Sequence, residues 1–325
     1  MLSINLIKQE LIDKGLEITN TGKEKESYYN CSSNCLKIRK ECLKQFNSIK
    51  HQKISIDTIQ ECTNKELIYH RNNNKIYKVV LNNKKYILKS LSYYPDYTFY
   101  NEVLCLSLLN SLKKIKKYNT PKIYSYGVTN DPKTCLILMS DIHKSYTFNC
   151  FISNISDEVF VKTLLKIAIV LYYIYTKIGI IHFDLHANNV LIREFKEEIN
   201  VNYGEYNISD TKTLPCFIDF SFSSCISSGK HFFYDDKTKF NNLVNNPITD
   251  IYKLIISSYR VKKSKKECSI SYDVFNNIFK FFTTENIEDH HNFNKENNYY
   301  CNIPKYYKES GEVKLKEFID FLINM

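Results

Sequence analysis

Gly179 to Ile192 read GIIHFDLHANNVLI: two short apolar runs, Ile180-Ile181 and Val190-Leu191-Ile192, enclose His182, Asp184, His186 and Asn189. Polar groups this dense between apolar flanks predict a loop held on buried supports. That is how reactive side chains are fixed in position and still reached from solvent.

Upstream, Leu164, Leu165, Ile167, Val170, Leu171 and Ile174 recur at helical spacing. Ser156 is a plausible N-cap, Asp157 and Glu158 suit the positive end of the helix dipole, and Gly179 supplies the stop, so a helix leads directly into the loop. Downstream, Cys216-Phe217-Ile218 forms a second apolar run that delivers Asp219, followed by Phe220 and Ser221. Arg193 to Leu214, between the loop and Asp219, is longer than a simple hairpin needs and reads as a polar surface insertion. Helices are expected from Asp250 to about Ser258, near Asp273 to Phe282, and from Glu312 to Ile323.

Before residue 142 the pattern is of strands. Leu67 to Tyr69, Ile76 to Leu81 and Tyr86 to Leu91 are β-forming runs, and Asn82-Asn83 between the last two predicts a hairpin, because asparagine tolerates the positive φ of such turns. A helix over Tyr94 to Lys114 and strands at Ile123 to Val128 and Cys135 to Met139 follow. The order predicts an α+β chain: an N-terminal extension over 1–60, a small antiparallel-sheet lobe with one main helix over 61–142, and a larger, mostly helical lobe over 143–325.

The 325 residues are 43% hydrophobic, enough for a real core and too many for general disorder. Abundant Lys, Asn, Ile and Tyr, with 7 Gly and no Trp, mark an AT-rich genome more than a function. The net charge of +10 includes lysine runs at Lys113 to Lys117 and Lys262 to Lys266. Such patches attract phosphates, nucleic acid or acidic proteins, although a solvated lysine face is the commoner meaning, so nucleic acid is not the favoured partner. Eleven cysteines without paired spacing favour reduced thiols and an intracellular setting over a disulfide framework. Cys31, Cys35, Cys42 and His51 lack the spacing of a zinc site, and the apolar stretch Leu164 to Ile181, which carries Lys166 and Lys177, reads as a buried helix and not as a membrane span.

The spacing of His182, Asp184, Leu185 and Asn189 resembles the catalytic loop of the protein-kinase superfamily, H-R-D-L-x-x-x-N, and Asp219-Phe220-Ser221 stands where that family has D-F-G. The resemblance covers about residues 61 to 325 and implies the two-lobed kinase fold, ATP as donor and Mg2+ (or Mn2+) as cation. It implies Asp184 at the acceptor hydroxyl, Asn189 and Asp219 on the metal, and Lys89 on the donor phosphates with Glu102 as its partner, in preference to Asp96. Asn74, Met139 and Ser140 would line the nucleotide, and Asp250 would brace the loop backbone. The loop, the IDFSFS stretch and the composition look like the atypical serine/threonine kinases of large DNA viruses, such as the poxvirus virion kinases. That implies viral or host protein substrates, and a place in host cytoplasm or virion.

Four departures qualify the resemblance. There is no G-x-G-x-x-G loop; Tyr69, Arg71 and Asn74 fall near its glycines, with Asn74 the candidate for a left-handed turn. Phe183 replaces the arginine that reads activation-loop phosphorylation, so activity independent of such phosphorylation is expected. His186 replaces the usual lysine, as in aminoglycoside-type phosphotransferases, and no A-P-E motif follows. A small-molecule phosphotransferase and a pseudokinase scaffold are therefore the competing readings.

Overall fold

The structure, a computed structural model, describes residues 65–71, 74–91, 97–128, 134–225, 247–265, 268–282, 287–288 and 314–325. The expected extension over 1–60, with its cysteines and His51, lies outside them. The fold is α+β. The chain divides into two compact units: one takes the chain through His143 with Lys177–Gly179 and the segment opening at Asp219, the other takes Lys144–Thr176, Ile180–Ile218 and the C-terminal part.

The first unit is built on a five-stranded antiparallel sheet in the order β1-β2-β3-β5-β4. Its strands are β1 (Lys65–Arg71), β2 (Asn74–Leu81), β3 (Lys84–Leu91), β4 (Ile123–Val128) and β5 (Cys135–Ser140). Asn82 and Asn83, at φ 50° and 60°, make the two-residue turn between β2 and β3, and Leu81 pairs with Lys84 across it. The positive φ expected of these asparagines is present; that expected of Asn74 is not. Asn74 opens β2, exposed and paired with Arg71 and Leu91, so strand pairing and not a phosphate turn fixes its backbone. Val79, Tyr86, Leu88, Leu136 and Leu138 form one core cluster on the sheet. Helix α1 (Tyr97–Ser111) buries Phe99, Val103, Leu104, Leu106, Leu108 and Leu109, and the short α2 (Lys113–Tyr118) follows it. The continuous helix expected to Lys114 is broken at Leu112, whose backbone is extended (ψ 105°).

In the second unit, α4 (Asp157–Ile178) is the central helix, reached through β6 (Ser145–Thr147) and the single-turn α3 (Phe148–Phe151). Ser156 caps it through its hydroxyl to the Val159 N–H, and Gly179 ends it at φ 63°. Among the described residues α4 is the one helix long and apolar enough to cross a membrane by length and composition, but its residues Phe160, Leu164, Ile167, Val170 and Ile174 are buried in the core of this unit, so no clear transmembrane segment is present. Aromatic rings carry that core from Phe148 to Phe160 to Phe275 and on to Tyr259. Three further described helices, α5 (Ile248–Ser264), α6 (Tyr272–Phe279) and α7 (Leu315–Ile323), each bury an apolar face.

Residues 193–214, expected as a polar surface insertion, are mostly exposed but are regular: they form most of a long hairpin, β7 (Val190–Tyr203) and β8 (Tyr206–Phe217), with one buried row. Val201, Tyr203, Ile208, Thr211 and Leu214 are buried, and Tyr203 packs edge-on against Tyr173 of α4 at 5.6 Å. The charged run Lys196-Glu197-Glu198 and a register shift between Glu194 and Ile199 hide the two-residue alternation that would have marked the strands.

Candidate functional site

The first unit gathers three of the expected residues around one lysine. In β3, Lys89 lies between Ile76 of β2 and Ile137 of β5 and is 5% exposed. Its ammonium donates to Glu102 Oε2 and to Asp219 Oδ1, each at 2.7 Å. Glu102, on the buried face of α1, is 1% exposed, whereas the Asp219 side chain keeps 40% of its surface. Burial opposes the Lys89 charge, but the two carboxylates more than offset it and its pKa lies above the ordinary value. Burial pushes the Glu102 carboxyl up to about 7, against the pull of Lys89 and with the charge of Asp219 adding to it. The cluster holds one ammonium and two acids, so it favours further cationic charge on the exposed side of Asp219.

Asp219 sits at φ 62°, ψ 69°, a left-handed conformation uncommon outside glycine but tolerated by aspartate, and the tight turn Phe220–Phe222 follows. The Ser221 hydroxyl lies 2.7 Å from Asp219 Oδ1. Phe220 is buried. Met139 is also buried, and Ser140 is committed to Lys122: its N–H donates to the Lys122 carbonyl and its hydroxyl accepts the Lys122 N–H, each at 2.8 Å. Asn74, at the start of β2, makes no contact with the Lys89 cluster among the bonds described. Asp96 lies outside the described residues.

The second unit holds the 182–189 loop by its backbone. Asp250, buried in the first turn of α5, accepts the His182 N–H on Oδ2 and the Phe183 N–H on Oδ1, both at 2.8 Å. Burial pushes its carboxyl up, while His182, Lys253 and the two N–H donors favour the ionised form. Lys253 donates to the Phe183 carbonyl, and Ser257 Oγ accepts the Ala187 N–H at 3.0 Å. Asp250, Lys253 and Ser257 follow at i, i+3 and i+7, so one face of one helix grips the loop at three points. The grip holds Phe183 at φ 59°, a bulky residue in the left-handed region. Such a backbone costs about 1–3 kcal/mol, and two N–H bonds to a carboxylate, each contributing about 1.5–3 kcal/mol, are enough to hold it.

Inside the loop, Asn189 Nδ2 donates to the Asp184 carbonyl at 2.9 Å, which turns its amide oxygen the other way. His182 Nε2 lies 2.9 Å from the Ile218 carbonyl, an acceptor, so that nitrogen carries the proton. The Ile218 N–H in turn donates to the Asn189 carbonyl at 3.1 Å. His186 Nε2 is 3.8 Å from Asp184 Oδ2, within ion-pair range but beyond a hydrogen bond, and both side chains are more than a third exposed. The sequence brings out His182, Asp184, Asn189 and Asp250. Lys253 and Ser257 it passes over, although their spacing from Asp250 on one helix was the available signal.

The two lysine runs differ. At the end of α5, Lys262 donates to the Cys268 carbonyl at 2.5 Å and Lys263 pairs with Glu288, and Lys265 just past it donates to Ser153 Oγ at 2.9 Å, so these lysines tie their own unit together. On α2, Lys113 and Lys116 are exposed, and Lys122 is held below its ordinary pKa by burial and then by Lys116 and Lys84. Among the described residues no group of three or more His, Cys, Asp or Glu side chains is gathered for a metal ion. No family model matches the chain, and no curated protein matches it. The functional reading therefore stands on the residues.

Proposed function

We propose that the chain is an ATP-dependent serine/threonine protein kinase with the two-lobed kinase fold. The observation that carries this reading is the buried Lys89 ammonium bonded at once to Glu102 and Asp219, 13 and 130 positions away. One buried acid suffices to keep a structural lysine charged; a second, partly exposed acid on the same ammonium suits a cation held fixed beside phosphates and a metal ion. In this reading Lys89 neutralises donor phosphate, Glu102 fixes Lys89, and Asp184 orients the acceptor hydroxyl and takes its proton. His186 lies beside the transferred group, and Asn74, Met139 and Ser140 flank the nucleotide. Asn189 and Asp219 would hold Mg2+, since a carboxamide oxygen and a carboxylate are the hard donors this ion prefers; when bound, it supplies charge that stabilises the transferring phosphoryl group. Asp250, Lys253 and Ser257 act by keeping the loop backbone in place.

His186 within ion-pair range of Asp184 favours a second reading, a small-molecule phosphotransferase. Labelled ATP with Mg2+ separates the two. Casein-like and basic proteins, aminoglycosides and amino-alcohols would be offered, with Asp184→Asn as control. Label on protein, lost by at least about 100-fold in the variant, is the expected outcome. Label confined to small molecules establishes the second reading. Nucleotide binding without turnover leaves a scaffold and defeats both.

A further inference from the structure

We infer that Ser221 is a positioning residue for the cation site of Asp219, an inference that rests on the function proposed above. A carboxylate is acceptor-only, so at 2.7 Å the Ser221 hydroxyl must be the donor to Asp219 Oδ1. Lys89 donates to that same oxygen, also at 2.7 Å. A single donor lets a carboxylate swing about the bond it makes. Two donors converging on one oxygen from different elements, β3 and the turn after Asp219, fix the plane of the group and hence the direction of its second oxygen.

The need for this second donor follows from the backbone. Asp219 is left-handed and its side chain is 40% exposed, so packing does little to choose its rotamer. The Asp219 side chain makes no capping hydrogen bond to the Phe220–Phe222 turn, and the Ser221 hydroxyl of that turn is aimed at its carboxylate. Glycine at 221 could take the same backbone path but would leave the carboxylate with Lys89 as the donor from this pair. Serine here trades freedom of the turn for a preset ligand geometry.

The test measures Mn2+ binding by electron spin resonance, with and without a non-hydrolysable ATP analogue, for wild type, Ser221→Ala, Ser221→Gly and Ser221→Thr. Loss of a charge-assisted hydrogen bond at a partly exposed site predicts Mn2+ binding weaker by about three- to tenfold in the Ala and Gly variants. Thr, which keeps the hydroxyl, should stay within about twofold of wild type, and metal-free nucleotide affinity should not change. Turnover should show the same split, with a raised Mn2+ requirement and near-normal rate at saturating metal. Equal Mn2+ affinity in wild type and Ser221→Ala overturns the inference and leaves the proposed kinase standing. Wild-type protein that binds no Mn2+ in the presence of nucleotide overturns both.

Discussion

The two clusters of candidate residues are held in opposite ways. Around Lys89, side chains hold one another: an ammonium, two carboxylates and a hydroxyl. Around Asp184 the loop is held through its backbone, which Asp250, Lys253 and Ser257 grip, and its side chains Asn189 and His182 bond to main-chain carbonyls. The difference suits the proposed roles. A cation beside phosphates must be fixed in place and kept charged, which neighbouring acids achieve. A carboxylate that receives a proton must stay within reach of substrate and solvent, so it is positioned through the backbone beneath it.

The largest effect should come from the backbone grip. Asp250→Ala strips the acceptor from two buried N–H groups and leaves Lys253 without its acid, and should lower unfolding free energy by about 3–5 kcal/mol in denaturant titration. A loss under about 1 kcal/mol would mean the loop holds its shape unaided.

Lys89→Met should cost less, about 2–3 kcal/mol, because Glu102 can take a proton and Asp219 is partly solvated. Adding Glu102→Leu should bring stability back to within about 1 kcal/mol of wild type while nucleotide-dependent activity stays lost. Failure of that rescue would show that the ionic cluster is needed for folding as well as for chemistry.

Third comes pH. Glu102 has a folded-state pKa of about 7, raised from 4.5 mainly by burial. Between these values the folded protein binds the proton and the unfolded chain does not, so this group's contribution is present at low pH and is lost as pH rises through about 7. Wild-type stability should fall relative to Glu102→Gln by on the order of 1–3 kcal/mol between pH 5 and 8. Parallel pH curves for the two proteins would show that Glu102 stays ionised throughout. The smallest change is Ser257→Ala, which removes one grip point and should cost about 1 kcal/mol; a loss as large as that of Asp250→Ala would mean the three points act as one unit.

Much of this was legible in the chain. Local rules gave the Asn82-Asn83 turn and the limits of α4 at Ser156 and Gly179, because each depends on a residue's own φ preference or cap. The spacing of His182, Asp184 and Asn189 marked the loop, and the resemblance it carries named Lys89 and Glu102 in advance as partners, with Asp219 named only as a metal ligand. The 190–217 hairpin was hidden by a charged run that breaks its alternation, and its contacts with α4, Tyr203 on Tyr173, Tyr206 on Tyr172 and Thr211 bonded to Lys166, join residues far apart in sequence. The left-handed turn expected at Asn74 gave way to strand pairing, which outweighs a weak residue preference.

By itself, the sequence determined the residue types that carry chemistry, the α+β order of elements and the places where the backbone can turn, since these follow from side-chain identity and local sterics. Tertiary structure alone decided that Lys89 has two acids and not one, that Ser221 shares an oxygen with it, and that Lys253 and Ser257 complete the grip begun by Asp250. Those are distances between residues up to 130 positions apart. They are set by packing within each unit, and no local preference encodes them.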